Sequence, residues 1–126
     1  RGCASQLSSG IATWGFSMGG ALSLLVASEG APHISASIAF YGYPDNKTAP
    51  GAGRRFDAGA VKVPVLFEAG SMDPFSGFSD PGMAAVITER LSNAAVTSLV
   101  QANCGHSFMN DAPWWHLDGG QHANES

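Results

Sequence analysis

The fold of this chain is decided by the stretch IATWGFSMGG, residues 11–20. Its first part, 11–14, is short, apolar and partly β-branched, which predicts a strand. From Met18 to Ser28 the sequence is rich in Ala and Leu at helical spacing, which predicts a helix. Few residues separate the two elements, so the stretch predicts a strand, a sharp turn and a helix in direct succession.

The same order of strand and helix recurs further along the chain. Strands are predicted at 34–41, 63–69 and 96–101, and a second helix at 81–95 with Asp80 as its N-cap. This order favours an α/β fold with a mostly parallel sheet of about four strands and flanking helices. We expect right-handed crossovers to place helices on the two faces of the sheet, and ligands to bind outside the carboxyl ends of the strands.

Residues 15–19, GFSMG, match the pattern G-x-S-x-G. Its glycines permit a strained strand-to-helix turn that exposes the serine. The pattern alone is weak in a chain with 16 glycines, because a serine at an ordinary helix start also matches it. The strand before it and the helix that starts within it are the context of a nucleophile elbow, so Ser17 is the candidate nucleophile.

A serine hydroxyl needs a base within hydrogen-bonding reach, and four histidines compete for that role. His106 follows the last predicted strand, at the sheet edge where Ser17 is expected. His33 precedes a strand and so belongs to the opposite end, whereas His116 and His122 lie in a polar tail. We predict His106 as the base and solvated surface positions for the other three.

Asp73 is the candidate for the acid that orients the base. It follows the predicted strand 63–69 by a few residues, where a carboxylate could accept the imidazole N–H. Taken alone, an Asp before Pro74 is more typical of a turn. Its position between Ser17 and His106 reproduces the order Ser, Asp, His of α/β-hydrolases, and Glu68 competes less well because it lies within the strand.

A tetrahedral oxyanion needs two hydrogen-bond donors. The backbone N–H of Met18, at the start of a helix, is predicted to be one of them. The second donor normally comes from an earlier loop of this fold, which would precede Arg1. We therefore expect residues 1–126 to form a single, partial α/β-hydrolase domain that is truncated at its N-terminal side.

Composition excludes several classes of partner. The formal net charge is -4 and only 13% of residues are charged, so no basic surface for nucleic acid is expected. The longest apolar runs are far shorter than the ~20 residues of a membrane-spanning helix, so no membrane partner is expected. The first residue is Arg1, with neither an initiator Met nor a leader, so targeting cannot be judged and localisation is unknown, with cytoplasmic as the default.

Other reactive or aromatic side chains receive weaker interpretations. Cys3 and Cys104 could form one bridge, but free thiols are favoured. Cys104 and His106 have no second Cys/His pair at motif spacing, so no metal site is predicted. Hydrolysis by a serine nucleophile requires no organic cofactor, and none is predicted. Arg54 and Arg55 could recognise a substrate carboxylate, but a solvated surface is favoured. Trp114 and Trp115 are left open between a substrate wall and packing.

Three stretches together resemble the dienelactone hydrolase family: GFSMGG at 15–20, VPVLFEAGSMDP at 63–74 and GHSFMN at 105–110. Family members pair a GFCMGG elbow with a strand-borne Asp-Pro turn and a GHxFxN histidine turn, in this order. The resemblance covers about residues 10–110. It implies an α/β-hydrolase of about eight strands, of which the chain supplies the last four, and the nucleophile, acid and base assigned above.

The chain departs from the family pattern at two positions. Ser17 stands where the best known members carry cysteine, which resembles the serine-using esterase relatives. Asn110 stands near the position of an arginine that holds the substrate carboxylate in dienelactone-cleaving members, and no arginine follows His106. The resemblance therefore implies a small-molecule ester or lactone as substrate rather than dienelactone itself.

The sequence thus predicts hydrolysis of a carboxylic ester or lactone through an acyl-enzyme on Ser17. A second hypothesis is a catalytically silent fragment of such a hydrolase, motivated by the missing oxyanion donor. A third is acyl transfer to an alcohol or amine, which uses the same three residues.

Overall fold

A computed structural model of the chain describes residues 10–44 and 56–110. The elements in chain order are β1 Ile11–Phe16, α1 Met18–Ser28, β2 Ile34–Phe40, a 3₁₀ turn Ala58–Ala60, β3 Val65–Gly70, α2 Met83–Arg90 and β4 Val96–Gln101. The predicted α/β class and the four strands are confirmed. Residues 1–9, 45–55 and 111–126 lie outside this description, and with them Cys3, Arg54, Arg55, Trp114, Trp115, His116 and His122.

The strands form one sheet in the order β1-β2-β3-β4, and every neighbouring pair is parallel. β1 runs to Phe16, beyond its predicted end, because Gly15 and Phe16 pair with Ala39 and Phe40 of β2. β3 begins only at Val65, since Pro64 has no N–H to donate to a neighbouring strand. All four strands therefore direct their carboxyl ends to one edge of the sheet, here called the carboxyl edge.

Both described helices cover the same face of the sheet. Ser37 of β2 is hydrogen-bonded to Ser23 of α1, with 2.8 Å between the hydroxyl oxygens, and Ser98 of β4 to Thr88 of α2 at 3.0 Å. The strand register puts Ser37 and Ser98 on one face. The expectation of helices on two faces is thus wrong for these elements. Because the strands follow one another in sequence order, each right-handed crossover leaves its helix on the same side.

The main core lies between these helices and the sheet. Leu24, Phe67, Ile87 and Leu91 are completely buried in it. Burying large aliphatic and aromatic side chains contributes roughly 1.5–3 kcal/mol each, so this layer holds the helices on the sheet. No helix among residues 10–44 and 56–110 is long and apolar enough to cross a bilayer.

Helix α2 is shorter than the predicted 81–95. Asp80 does not cap it, because its carboxylate accepts the amides of Gly77 at 2.6 Å and Gly82 at 3.1 Å and so closes the preceding turn. The helix starts at Met83 after Gly82, and it ends at Arg90 because Leu91 leaves the helical region. The apolar periodicity beyond that point belongs to a turn that leads into β4.

Candidate active site

Ser17 lies at the elbow between β1 and α1. Its φ of 52° and ψ of −120° place it in a region that side-chain-bearing residues rarely adopt, and such strain costs about 1–3 kcal/mol. A β-carbon at Gly15 would approach the carbonyl oxygen of Gly19 to 2.0 Å. A side chain at position 15 would therefore collide with the backbone at Gly19, which explains why glycine is required there, whereas a β-carbon at Gly19 would meet no atom within 4 Å.

The elbow is tied to the next strand. The Ser17 amide donates to the Phe40 carbonyl at 2.9 Å, and a β-carbon at Gly42 would come within 1.9 Å of the Ser17 carbonyl oxygen. The first intrahelical bond of α1 is donated by Ala21 to Ser17. The amide of Met18, at the start of the helix, precedes that bond and belongs to the positive end of the helix dipole.

His106 is carried by the turn that follows β4. This turn contains two non-glycine residues in the left-handed region, Asn103 at φ 57° and Ser107 at φ 61°. It is fastened to the turn after β3, because the Met72 amide donates to the Cys104 carbonyl at 2.9 Å. His106 is 9% exposed, so its ring is held between protein atoms rather than free in solvent.

The structure brings Ser17, His106 and Asp73 into one hydrogen-bonded chain. The hydroxyl of Ser17 lies 2.9 Å from Nε2 of His106, and Nδ1 of the same ring lies 2.8 Å from Oδ2 of Asp73. A carboxylate only accepts, so Nδ1 carries the proton and Nε2 is left as acceptor for the serine hydroxyl. This is the arrangement that allows an imidazole to accept a proton from serine.

Asp73 is buried, with 4% of its surface exposed. Its second oxygen, Oδ1, accepts the amide of Phe75 at 3.1 Å and the hydroxyl of Ser79 at 2.9 Å. Together with the imidazole, three donors surround this carboxylate. Buried carboxylate oxygens need hydrogen-bond donors to replace their lost hydration, and the turn after β3 supplies two of these three donors.

Aromatic rings enclose the imidazole. Phe75 meets it edge-on at 4.7 Å between centroids and Tyr41 at 5.1 Å, whereas Phe78 is tilted at 6.2 Å. Tyr41 also has a left-handed φ of 40° directly after β2. These contacts fix the plane of the ring, so its two nitrogens point to Ser17 and Asp73.

A cleft of about 320 Å³ opens beside Ser17. The described residues that line it all have neutral side chains: Phe16, Ser17, Tyr41, Ser107, Met109 and Asn110. Burial raises the pKa of Tyr41 to about 12, against a smaller lowering by a backbone hydrogen bond from Met109. Its hydroxyl therefore stays neutral at physiological pH.

The remaining candidates from the sequence lie elsewhere. Glu68 lies within β3, and its Oε2 accepts a hydrogen bond from Nε2 of Gln101 at 2.8 Å rather than from His106. His33 is exposed at the opposite end of the sheet, where its carbonyl accepts the Ile11 amide. Cys104 is a buried free thiol within the described residues. In those residues no three His, Cys, Asp or Glu side chains gather as a metal site.

Sequence reasoning missed two contributors. Ser79 and Phe75 lie in the loop between β3 and α2, which carries no periodicity that would single them out. A weak signal existed in the composition of this loop, because a hydroxyl and two aromatic residues within six positions of a candidate acid are more than a simple turn requires.

A parallel sheet with a strained serine at a strand-to-helix elbow defines an α/β-hydrolase fold, here in partial form. Within that class the chain belongs to the dienelactone hydrolase family, whose model matches residues 2–125. The resemblance stated from the three motifs is thereby confirmed. A comparison with curated protein sequences finds no match.

Two solved structures are similar to this chain. One, a dienelactone hydrolase-like promiscuous phosphotriesterase from metagenomic libraries, is 27% identical over 90% of the chain with a TM-score of 0.66. The other, described as a dienelactone hydrolase from Klebsiella pneumoniae, is 24% identical over 77% with a TM-score of 0.58 and bears on the fold alone. The chain spans 44% and 40% of these two proteins, respectively.

Proposed function

We propose that this protein hydrolyses small, uncharged carboxylic esters or lactones through an acyl-enzyme on Ser17. The strongest support is the continuous chain of hydrogen bonds from the Ser17 hydroxyl through His106 to Asp73, with links of 2.9 and 2.8 Å. Strain at Ser17 adds to this, because a structure keeps a residue in such a conformation only where its surroundings over-determine it.

In the proposed reaction, the Ser17 oxygen attacks the carbonyl carbon while its proton passes to Nε2 of His106. Asp73 stabilises the resulting imidazolium through Nδ1. The tetrahedral intermediate carries its negative charge on the former carbonyl oxygen, which the Met18 amide meets at the positive end of α1. Collapse breaks the bond to the leaving oxygen, and His106 returns the proton to it.

Water completes the cycle. His106, again neutral, takes a proton from a water molecule that attacks the acyl carbon. The second intermediate then breaks the bond to the Ser17 oxygen, which regains its proton from His106. The acid is released, so ester and water are converted to acid and alcohol with no other reactant.

The neutral cleft supports an uncharged acyl group. Among residues 10–44 and 56–110, no lysine or arginine lines it, and Tyr41 remains protonated. A desolvated carboxylate there would lack a cationic partner among the described lining residues. We therefore expect a neutral p-nitrophenyl ester to be cleaved with a higher kcat/KM than its analogue with a free carboxylate on the acyl chain.

A fluorophosphonate probe tests the nucleophile independently of the substrate. Attack by Ser17 forms a bond to phosphorus and expels fluoride, and mass spectrometry of the digested protein locates the adduct. We expect the adduct on Ser17, its loss in Ser17→Ala and its retention in Ser35→Ala, which removes an exposed serine hydroxyl from β2. Labelling that persists in Ser17→Ala would overturn the assignment, and absence of labelling in the wild type would favour the silent fragment.

A further inference from the structure

A second serine, Ser79, lies behind the imidazole on the side away from Ser17. It is completely buried, at 0% exposure, in the loop between β3 and α2. Its hydroxyl oxygen is 2.9 Å from Oδ1 of Asp73 and 3.1 Å from Nδ1 of His106. One hydroxyl therefore touches both partners of the acid-base pair.

The direction of these hydrogen bonds follows from the chemistry of the groups. The Asp73 carboxylate has no proton, so the Ser79 O–H must donate to it. Nδ1 of His106 carries the proton that Oδ2 of Asp73 accepts at 2.8 Å. The Ser79 oxygen then presents a lone pair to that same N–H. Its donor side faces the carboxylate and its acceptor side faces the imidazole.

The backbone holds this hydroxyl in place. The Ser79 amide donates to the Phe75 carbonyl at 3.0 Å, and the neighbouring Asp80 carboxylate closes the loop through Gly77 and Gly82. The Tyr43 amide also donates to the Phe78 carbonyl at 2.8 Å. Such a preorganised group loses little entropy when the charge on the imidazole develops.

Substrate cannot reach Ser79 directly. It has no exposed surface and does not line the cleft beside Ser17. Any influence on the reaction must pass through Asp73 and His106. Without its hydroxyl, Oδ1 of Asp73 would keep the Phe75 amide as its remaining partner among those described.

We propose that Ser79 is a positioning residue, which locks the Asp73 carboxylate and keeps the proton of His106 on Nδ1, so that Nε2 faces Ser17. This inference rests on the proposed function, because it assigns a task to Ser79 within the same acid-base pair. A residue that only stabilised the loop would not affect turnover in folded protein.

The first test compares Ser79→Ala with Ser37→Ala. Ser37 is 1% exposed and is hydrogen-bonded to Ser23 between the sheet and α1, so its variant also loses one buried hydroxyl, but far from the site. In p-nitrophenyl acetate hydrolysis we expect Ser79→Ala to lower kcat about 10- to 100-fold with KM unchanged, because a hydrogen bond to a charged group is lost. Ser37→Ala should keep the wild-type kcat.

A second pair of variants removes the effect of shape. Ser79→Thr and Ser79→Val both enlarge a completely buried side chain, but only threonine keeps a hydroxyl. The ratio of their kcat values therefore reports the effect of the hydrogen bonds alone. We expect the threonine variant to turn over about ten-fold faster than the valine variant at equal folded fraction. Equal kcat for the two would overturn the proposal, as would a wild-type kcat in folded Ser79→Ala.

The rate of fluorophosphonate labelling separates this inference from the proposed function. Failure to label Ser17 in the wild type would remove the proposed function itself. Labelling of Ser17 in the wild type at the same rate in Ser79→Ala and Ser79→Val would leave the nucleophile in place and overturn only the task assigned to Ser79. Slower labelling in both variants supports it.

Discussion

The carboxyl edge of the sheet and its helix-covered face differ in backbone strain and in the polarity of their buried side chains. All four non-glycine residues with positive φ in the described chain, Ser17, Tyr41, Asn103 and Ser107, come after strand ends at the carboxyl edge. Under the helices, the core is built from apolar side chains, and its serines Ser23 and Ser37 satisfy each other at 2.8 Å. The strained residues and the buried carboxylate of Asp73 thus lie at the carboxyl edge, whereas the helix-covered face is regularly packed.

This difference indicates which region carries chemistry and which carries stability. Strained backbone and a buried carboxylate both cost free energy and persist only where surrounding contacts fix them. The helix-covered face supplies that support through side chains such as Phe67 and Leu24. Substitutions in the two regions should therefore separate activity from stability.

The largest effect is expected at the carboxyl edge, in His106→Ala. Removing the base should lower kcat for p-nitrophenyl acetate about 10⁴-fold or more, because the serine hydroxyl would lose its proton acceptor. The melting temperature should change little by comparison. Stopped assays at high enzyme concentration, paired with thermal unfolding, measure both quantities. A kcat within about ten-fold of wild type would contradict the role of His106 as the base.

The matching change in the helix-covered face is Phe67→Ala. Phe67 is completely buried, so its truncation should lower the free energy of unfolding by about 3–5 kcal/mol. The kcat per folded molecule should stay near wild type, because no atom of Phe67 belongs to the cleft or the hydrogen-bonded chain. Urea titration and active-site counting with fluorophosphonate check the two statements. A kcat that falls with unchanged stability would contradict them.

Tyr41, at the carboxyl edge, gives a pH-dependent test of stability. Its pKa is about 12 in the folded protein because burial disfavours the phenolate, whereas an unfolded tyrosine titrates near pH ~10. Between these values the unfolded state has lost a proton that the folded state keeps, so stability falls as pH rises. At about pH 11 the loss amounts to about 1.4 kcal/mol relative to about pH 8.

Tyr41→Phe should remove that contribution. The variant's stability relative to wild type should increase between about pH 8 and about pH 11 by the same amount, as measured by urea unfolding at both values. An identical pH dependence in the two proteins would show that the hydroxyl of Tyr41 does not titrate above its ordinary range.

The smallest effect concerns strain at Ser17. Glycine adopts positive φ without cost, so Ser17→Gly should be about 1 kcal/mol more stable than Ser17→Ala, although neither has a nucleophile. At Ser98, which pairs with Phe67 in a ladder without a register shift, the order should reverse, with Ala more stable than Gly by about 0.5–1 kcal/mol. Thermal unfolding of the four variants gives both differences. If the Gly variant were more stable than the Ala variant at both positions, or less stable at both, Ser17 would not be a strained position.

Much of the fold was predictable because its periodicity is local. The bounds of α1 and β4 agree with the sequence to the residue, since both are set by apolar spacing and by Gly or Asn nearby. The ends of β3 and α2 differ because Pro64 lacks a donor and Asp80 bonds to its own loop. The face on which the helices lie depends on strand order, which no local pattern contains.

The candidate site was predictable where motifs place residues immediately after strands. Ser17, Asp73 and His106 were selected in this way, and the structure brings their side chains together. Ser79 was not predicted, because its contact with Asp73 depends on how residues 74–78 fold back. Their catalytic roles remain the proposal that the variants above examine.

The central claim is that Ser17 forms an acyl-enzyme, and trapping that intermediate tests it most directly. Protein mixed with p-nitrophenyl acetate, quenched in acid within the first turnover and digested, should carry one acetyl group on the peptide that contains Ser17. The acetyl group should be absent in Ser17→Ala and should accumulate with a burst of p-nitrophenol in the wild type. Acetyl found on another residue, or turnover that continues in Ser17→Ala at the wild-type rate, would contradict the account.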